Sequence, residues 1–137
     1  MNRKKKVLVL CTGNSCRSIM AEAMINAKLG DCMEAQSSGV KASGKVNLHA
    51  KALLESKEQW KDTYHSKVIE TVLDIPFDLV VTVCDSAKET CPMFPKVVKV
   101  IHVGFEDPSG KAEEAYAKTY DLMEKELLPI IKSELCN

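Results

Sequence analysis

Apolar side chains follow two rhythms along this chain. Residues 7–10 (Val7-Leu8-Val9-Leu10) and residues 78–83 (Asp78-Leu79-Val80-Val81-Thr82-Val83) are nearly unbroken apolar runs, as central strands covered on both faces require. Residues 33–38, ended by Gly39, and residues 97–103 read as a second and a fourth strand. Between the first two strands, residues 18–29 carry Ile19, Met20, Ala23, Met24 and Ala27 at helical spacing. Asn47 stands where it can cap a helix through Leu48, Ala52, Leu53 and Leu54. From Lys111 onward, Ala115, Tyr116, Thr119, Leu122, Met123, Leu127, Ile130 and Ile131 trace one face of a closing helix, with Pro129 expected to bend or tighten its last turns. Residues 56–73 are polar and irregular, with Trp60 and Tyr64 as anchors and a short helix expected near residues 67–72.

Strands alternating with helices in this order predict an α/β fold: an open parallel four-stranded sheet with helices on both faces and a phosphate-type loop after the first strand. The 137 residues suffice for one well-buried core, so a single domain over residues 1–137 is expected. With 19 basic and 19 acidic side chains the formal net charge is +0, which leaves no global field to recruit nucleic acid, and any anion selectivity must be local. The basic residues 3–6 read as a solvated lead-in to the first strand. No stretch approaches a membrane span, and residues 7–10 are too brief for a secretory apolar region, so a cytoplasmic protein without membrane or nucleic-acid partners is expected. A monomer is the expected state.

Chemistry concentrates in Cys11-Thr12-Gly13-Asn14-Ser15-Cys16-Arg17-Ser18, where Cys11 and Arg17 bracket five residues between a strand and a helix. A loop of this length can turn several backbone N–H groups inward, and the following helix adds its unpaired donors and positive dipole end. Gly13 and Asn14 tolerate the positive φ such a loop demands, and Arg17 offers a planar fork to two oxygens of a tetrahedral anion. The same field is expected to lower the pKa of Cys11 and make it a nucleophile. An ordinary buried thiol at a strand end is the competing reading of Cys11, and the placement of glycine, small polar residues and arginine argues against it. Asn14 is expected to brace the loop through bonds to its own backbone, and Cys16 to be structural, pointing away from the anion.

Six cysteines (Cys11, Cys16, Cys32, Cys84, Cys91, Cys136) point to working thiols rather than a secreted disulfide framework. Neither Cys11-x4-Cys16 nor Cys84-x6-Cys91 has the short spacing of a structural zinc site, His49, His65 and His102 are scattered, and no metal or bound cofactor is expected. Cys84 follows the third strand and so shares the C-terminal edge of the sheet with Cys11, the edge where open parallel sheets bind ligands. The residues between Cys84 and Cys91 are polar, small or charged and fit an exposed segment, helical or looped. A rigid helix of that length holds the two thiols too far apart to bond, so closing a disulfide there requires rearrangement. Cys32 and Cys136 read as bystanders.

The chain resembles the low-molecular-weight tyrosine phosphatase superfamily, from Val7 to the C-terminus. Cys11-x5-Arg17-Ser18 matches the family's phosphate loop, and Asp107-Pro108 lies where the family keeps its Asp-Pro acid. Within the superfamily, Cys84-Asp85-Ser86-Ala87 and Cys91-Pro92-Met93-Phe94-Pro95 resemble the redox segment of the thioredoxin-coupled arsenate reductases. The resemblance implies reduction of arsenate to arsenite by a Cys11, Cys84, Cys91 thiol relay, with Asp107 as acid, Ser18 donating to the Cys11 thiolate, thioredoxin as electron donor, and phosphate or sulfate as competing oxyanions. Some members of that family bind potassium through residues matching Asn14, Glu22 and Ser37 together with an aspartate. That aspartate position falls on Lys67, whose ammonium can replace the cation, so potassium-independent activity is expected. Two other functions share the loop: a phosphatase acting on phosphotyrosine or small phosphate esters, for which Cys11, Arg17 and Asp107 suffice, and a non-enzymatic oxyanion or redox sensor. Ser109-Gly110 after the Asp-Pro pair, in place of aromatic residues able to grip a phenyl ring, argues against the phosphatase.

Overall fold

The computed structural model describes residues 4–85 and 93–136. Four parallel strands, β1 (Lys5–Cys11), β2 (Met33–Gly39), β3 (Leu79–Thr82) and β4 (Val100–His102), lie in the order β2-β1-β3-β4. Among the described residues the α-helices are α1 (Arg17–Lys28), α2 (Leu48–Ser56) and α3 (Glu113–Leu135), joined by a 3₁₀ turn at Ile69–Val72. This is the α/β fold with a parallel sheet that the residue pattern predicts. Strand β1 has a neighbour on each side, which is why all four apolar residues of its centre are fully buried. The chain moves outward from β1 first to β2 and then to β3, and that reversal opens a crevice at the strands' C-terminal ends.

The two faces of the sheet are covered unequally. Val7, Val9 and Val81 join a core with Ile19, Met20, Met24, Leu54, Tyr116, Met123 and Ile131, so α1, α2 and α3 all pack on that side. Residues 17–25 of α1 are buried without interruption because the helix lies between the sheet and the other two helices. Leu8, Leu10 and Val80 face the other way, onto Ile69 and Val72, with Phe77 and Phe94 edge to face at 6.3 Å beside them.

Local signals hold where local chemistry decides. The Asn47 Oδ1 accepts from His49 N at 2.9 Å and Ala50 N at 3.1 Å, capping α2 as expected, and its Nδ2 donates to the Tyr116 hydroxyl at 3.2 Å, tying α2 to α3. Tyr64 is buried, accepts from Asn26 Nδ2 at 3.1 Å and meets Trp60 edge to face at 5.7 Å. Strand β4 is shorter than residues 97–103. As an edge strand it has one hydrogen-bonding neighbour, and Val97, next to Lys96, lies wholly in solvent. Along α3 the buried stripe is Tyr116, Thr119, Tyr120, Met123, Leu127, Leu128 and Ile131, while Leu122 and Ile130 stand on its exposed shoulder. Tyr120 earns an inner position because its hydroxyl reaches Gln59 Oε1 at 2.5 Å. The helix runs through Pro129 to Leu135.

Cys32 and Cys136 are not bystanders. They are joined by a disulfide, with Cα atoms 5.9 Å apart across a sequence separation of 104. No periodicity or motif links positions so distant in sequence; the pairing exists because α3 returns its C-terminus to the turn between α1 and β2. No helix among the described residues is long and apolar enough to cross a membrane.

Candidate active site

Strand β1 delivers Cys11 to the C-terminal edge of the sheet, and residues 12–16 turn from it into α1. The carbonyls of Thr12, Gly13 and Ser15 accept from the N–H groups of Lys41 (3.0 Å), Ser43 (2.9 Å) and Asn47 (2.8 Å). A planar peptide points its N–H opposite to its C=O, so the N–H groups of Gly13, Asn14 and Cys16 lie on the loop's inner side. Helix α1 begins at Arg17 with no side-chain cap from Cys16, and its first amide donors and positive dipole end face the same space. An oxyanion cradle is the arrangement this backbone makes.

Asn14 adopts φ +48°, the left-handed conformation expected of it. Gly13 does not, and a Cβ there meets only Ser15 Oγ at 3.9 Å, so neither backbone freedom nor space demands that glycine. Gly39 is the demanding one. It lies opposite Cys11 in the β1–β2 register, and a Cβ there falls 2.4 Å from the Thr12 carbonyl oxygen. Asn14 braces the loop through distant partners rather than its own backbone: Nδ2 donates to Ser18 Oγ (2.8 Å) and Ser37 Oγ (2.9 Å), and Oδ1 accepts from Lys67 N (2.8 Å). Ser18 is fully buried and accepts from Asn14, which leaves its own hydrogen to donate.

Arg17 is buried, and its guanidinium donates through Nη1 to the Phe105 carbonyl at 3.1 Å while Nη2 lies 3.8 Å from Asp107 Oδ2. The Asp107 side chain is about half exposed (48 %), and its Oδ1 accepts from Ser109 N at 3.0 Å in a tight turn that aims Oδ2 back at Arg17. Cys11 and Cys16 both lie outside any disulfide and are each 3 % exposed, yet Cys16 is chemically muted. Burial, then the Asp107 carboxylate, push the Cys16 thiol up to about 12 against the pull of Arg17, so it stays protonated at neutral pH. Its side chain faces Ser109 and Asp107 rather than serving as a second nucleophile.

Leu10 pairs with Thr82 across β1 and β3, so Cys84 lies one residue beyond the position opposite Cys11. It is fully buried at the edge expected of it, and it is disulfide-bonded. Cys91 and the adjoining residues 86–90 and 92 lie outside the described residues.

The model of the low molecular weight phosphotyrosine protein phosphatase family matches residues 6–135. The chain belongs to this family. Arsenate reductase 1 of Bacillus cereus is 42% identical over 122 residues, covering 88% of this chain and 90% of its own length. Among solved structures, an arsenate reductase from Archaeoglobus fulgidus superposes with a TM-score of 0.81 at 31% identity, covering 91% of this chain and 98% of its own. A low molecular weight protein tyrosine phosphatase from T. tengcongensis gives 0.77 at 28% identity, covering 95% and 99%. The family therefore holds proteins named for each of two oxyanion chemistries on one fold.

Behind the cradle, Asn14 opens a buried polar chain through Ser37 and Glu22, the residues expected to match the potassium site of some reductases. Ser37 Oγ, which accepts from Asn14, donates to Glu22 Oε1 at 2.6 Å. Glu22 is 4 % exposed, and burial raises its carboxyl above the ordinary range, opposed first by the Lys67 charge and then by the Ser37 hydrogen bond. Lys67 donates its backbone N–H to Asn14 and lines, with Glu22, Lys61, Tyr64 and His65, an open cavity across which its charge favours the Glu22 carboxylate. Asn14 Oδ1 is taken by an amide and Glu22 already faces a cation on a side chain, so these residues do not fit a metal cation. The residue types reveal neither Gly39 nor the Phe105 carbonyl as parts of the site. The one available signal was that Gly39 ends the predicted second strand.

Proposed function

We propose that this protein reduces arsenate to arsenite. The observation that supports this reading is that Cys84 follows β3, one residue past the position opposite Cys11, at the same sheet edge as the loop ending in Arg17, which lies 3.8 Å from Asp107. The Cys11 thiolate attacks arsenic and forms a Cys11–S–As bond, and the oxygen that leaves takes its proton from Asp107 and departs as water. The cradle N–H groups and Arg17 hold the remaining oxygens. Cys84 then attacks Cys11 Sγ: the S–S bond forms, the S–As electron pair passes to arsenic, and As(V) leaves as As(III) in arsenite. Cys91 next attacks Cys84 Sγ, which frees Cys11 and carries the oxidation to a Cys84–Cys91 disulfide that thioredoxin reduces. Ser18, with its hydrogen unspent, is the donor that steadies the Cys11 thiolate. No bound cofactor enters the cycle. The names of relatives such as the Bacillus cereus reductase support the substrate, and phosphate and sulfate compete for the same cradle.

Pre-reduced protein mixed with excess arsenate and no electron donor tests this reading. About one arsenite per chain is expected, with none from Cys11→Ser or Cys84→Ser. Arsenite from the Cys84 variant would show that a different thiol completes the reduction. Phosphate-ester hydrolysis is a second reading because Cys11 with the Arg17–Asp107 pair at 3.8 Å suffices for it and a family phosphatase shares the fold. It requires only Cys11 of the thiols, so slow hydrolysis of an aryl phosphate surviving in Cys84→Ser separates the two activities.

A further inference from the structure

The oxyanion site leaves the disulfide at the other edge of the sheet unexplained. Cys32 belongs to the turn between α1 and β2, where its N–H donates to Leu29 O at 3.0 Å and its carbonyl accepts from Lys5 N at 3.1 Å. Cys136 caps the C-terminus of α3 through its N–H to Lys132 O at 2.8 Å. The bond therefore fastens the last turn of the chain to the starting edge of β1. The six residue steps of β1 from Lys5 to Cys11 put that edge about 20 Å from the cradle. Both cysteines are partly exposed, whereas Cys11 and Cys16 are 3 % exposed.

We infer that Cys32–Cys136 is a second thiol–disulfide couple, independent of the catalytic thiols and of the proposed arsenate chemistry, and a site of reversible modification that sets how firmly α3 is anchored. Opening it takes two electrons and two protons from a dithiol reductant, which is itself oxidised to a disulfide. Closing it returns them to a small-molecule disulfide, which leaves as two thiols. Neither step disturbs the cradle. The Cys32 turn keeps its backbone bonds without the sulfur link, and Met123, Leu127 and Ile131, all fully buried, hold the body of α3 in place. What changes is the unfolded chain: a cross-link across a separation of 104 residues removes much of its conformational freedom, and that favours the folded state.

The full-length protein equilibrated with glutathione disulfide, blocked with an alkylating reagent and digested is expected to yield a peptide pair linked through Cys32 and Cys136. Dithiothreitol is expected to lower the wild-type Tm by on the order of 10 °C. Cys32→Ala and Cys136→Ala are expected to lose that drop and to reduce arsenate at the wild-type rate. Absence of the linked pair overturns the inference without needing any variant to fold. A reductive drop of equal size in both variants also overturns it, by assigning the effect to other thiols.

Discussion

At the C-terminal edge of the sheet, two buried thiols five positions apart, Cys11 and Cys16, remain unlinked; at the N-terminal edge, two partly exposed cysteines 104 positions apart are bonded. The difference lies in what holds the backbone. Residues 12–16 are fixed by Lys41, Ser43 and Asn47 outside the loop, by Asn14 within it, and by Gly39 pressed against Thr12. That scaffolding fixes the backbone between Cys11 and Arg17 and leaves Cys16 beside Asp107 and Ser109. At the far edge a sulfur bond joins the end of α3 to the turn between α1 and β2. The cysteine proposed as nucleophile thus follows a strand whose loop is braced from several sides, whereas the Cys32–Cys136 bond joins two distant parts of the chain.

Substituting one cysteine at each edge sharpens this contrast most. Cys11→Ser is expected to abolish arsenate reduction, to below ~10⁻³ of wild type, with little change in Tm, because a hydroxyl of similar size replaces the nucleophile. Cys136→Ala is expected to do the reverse, and paired rate and melting measurements read both. Within the active edge, Asp107→Asn removes the proton donor but not the cradle. A fall of about 10²-fold in the rate of arsenite release is expected, with arsenate affinity retained by Arg17.

Smaller effects probe the polar chain behind the loop. Glu22 has a raised carboxyl pKa in the folded protein, so between the ordinary value of 4.5 and that raised value the folded state binds more protons than the unfolded one. Stability associated with Glu22 is therefore full below pH 4.5 and is lost as the pH rises through the folded value. Glu22→Gln keeps an acceptor for Ser37 and never ionises. Its Tm is expected to overtake that of wild type as the pH rises to neutrality, by about 2–4 °C for each ~1 kcal/mol of charge burial avoided. Smallest of all is the response to potassium. With Lys67 facing Glu22, initial rates in potassium and in sodium chloride at equal ionic strength are expected to agree, while Lys67→Ala uncovers a dependence. Clear potassium activation of the wild type contradicts that role for Lys67.

The β1 run, the helix after it, the Asn47 cap and the left-handed Asn14 were legible in the sequence because each depends on neighbours within a few residues. Cys11, Arg17 and Asp107 were legible as a family pattern. The bracing of Asn14 was not, since its partners Ser37 and Lys67 lie 23 and 53 residues away and meet it only once β2 is paired with β1. Gly39 has the same origin, for its need to be glycine arises from strand register rather than from its own turn. Cys32 and Cys136 carry no local mark at all. Their pairing depends on the length and path of α3, which closes the chain back onto the turn between α1 and β2.

The central claim is that three thiols pass oxidation outward from the cradle. NADPH consumption driven by arsenate, in the presence of thioredoxin and thioredoxin reductase, tests it most directly when wild type is set beside Cys91→Ser. Sustained turnover in the wild type that stops after about one cycle in the variant is the predicted result. Undiminished turnover in Cys91→Ser, or no arsenate-dependent consumption by the wild type, would contradict the relay.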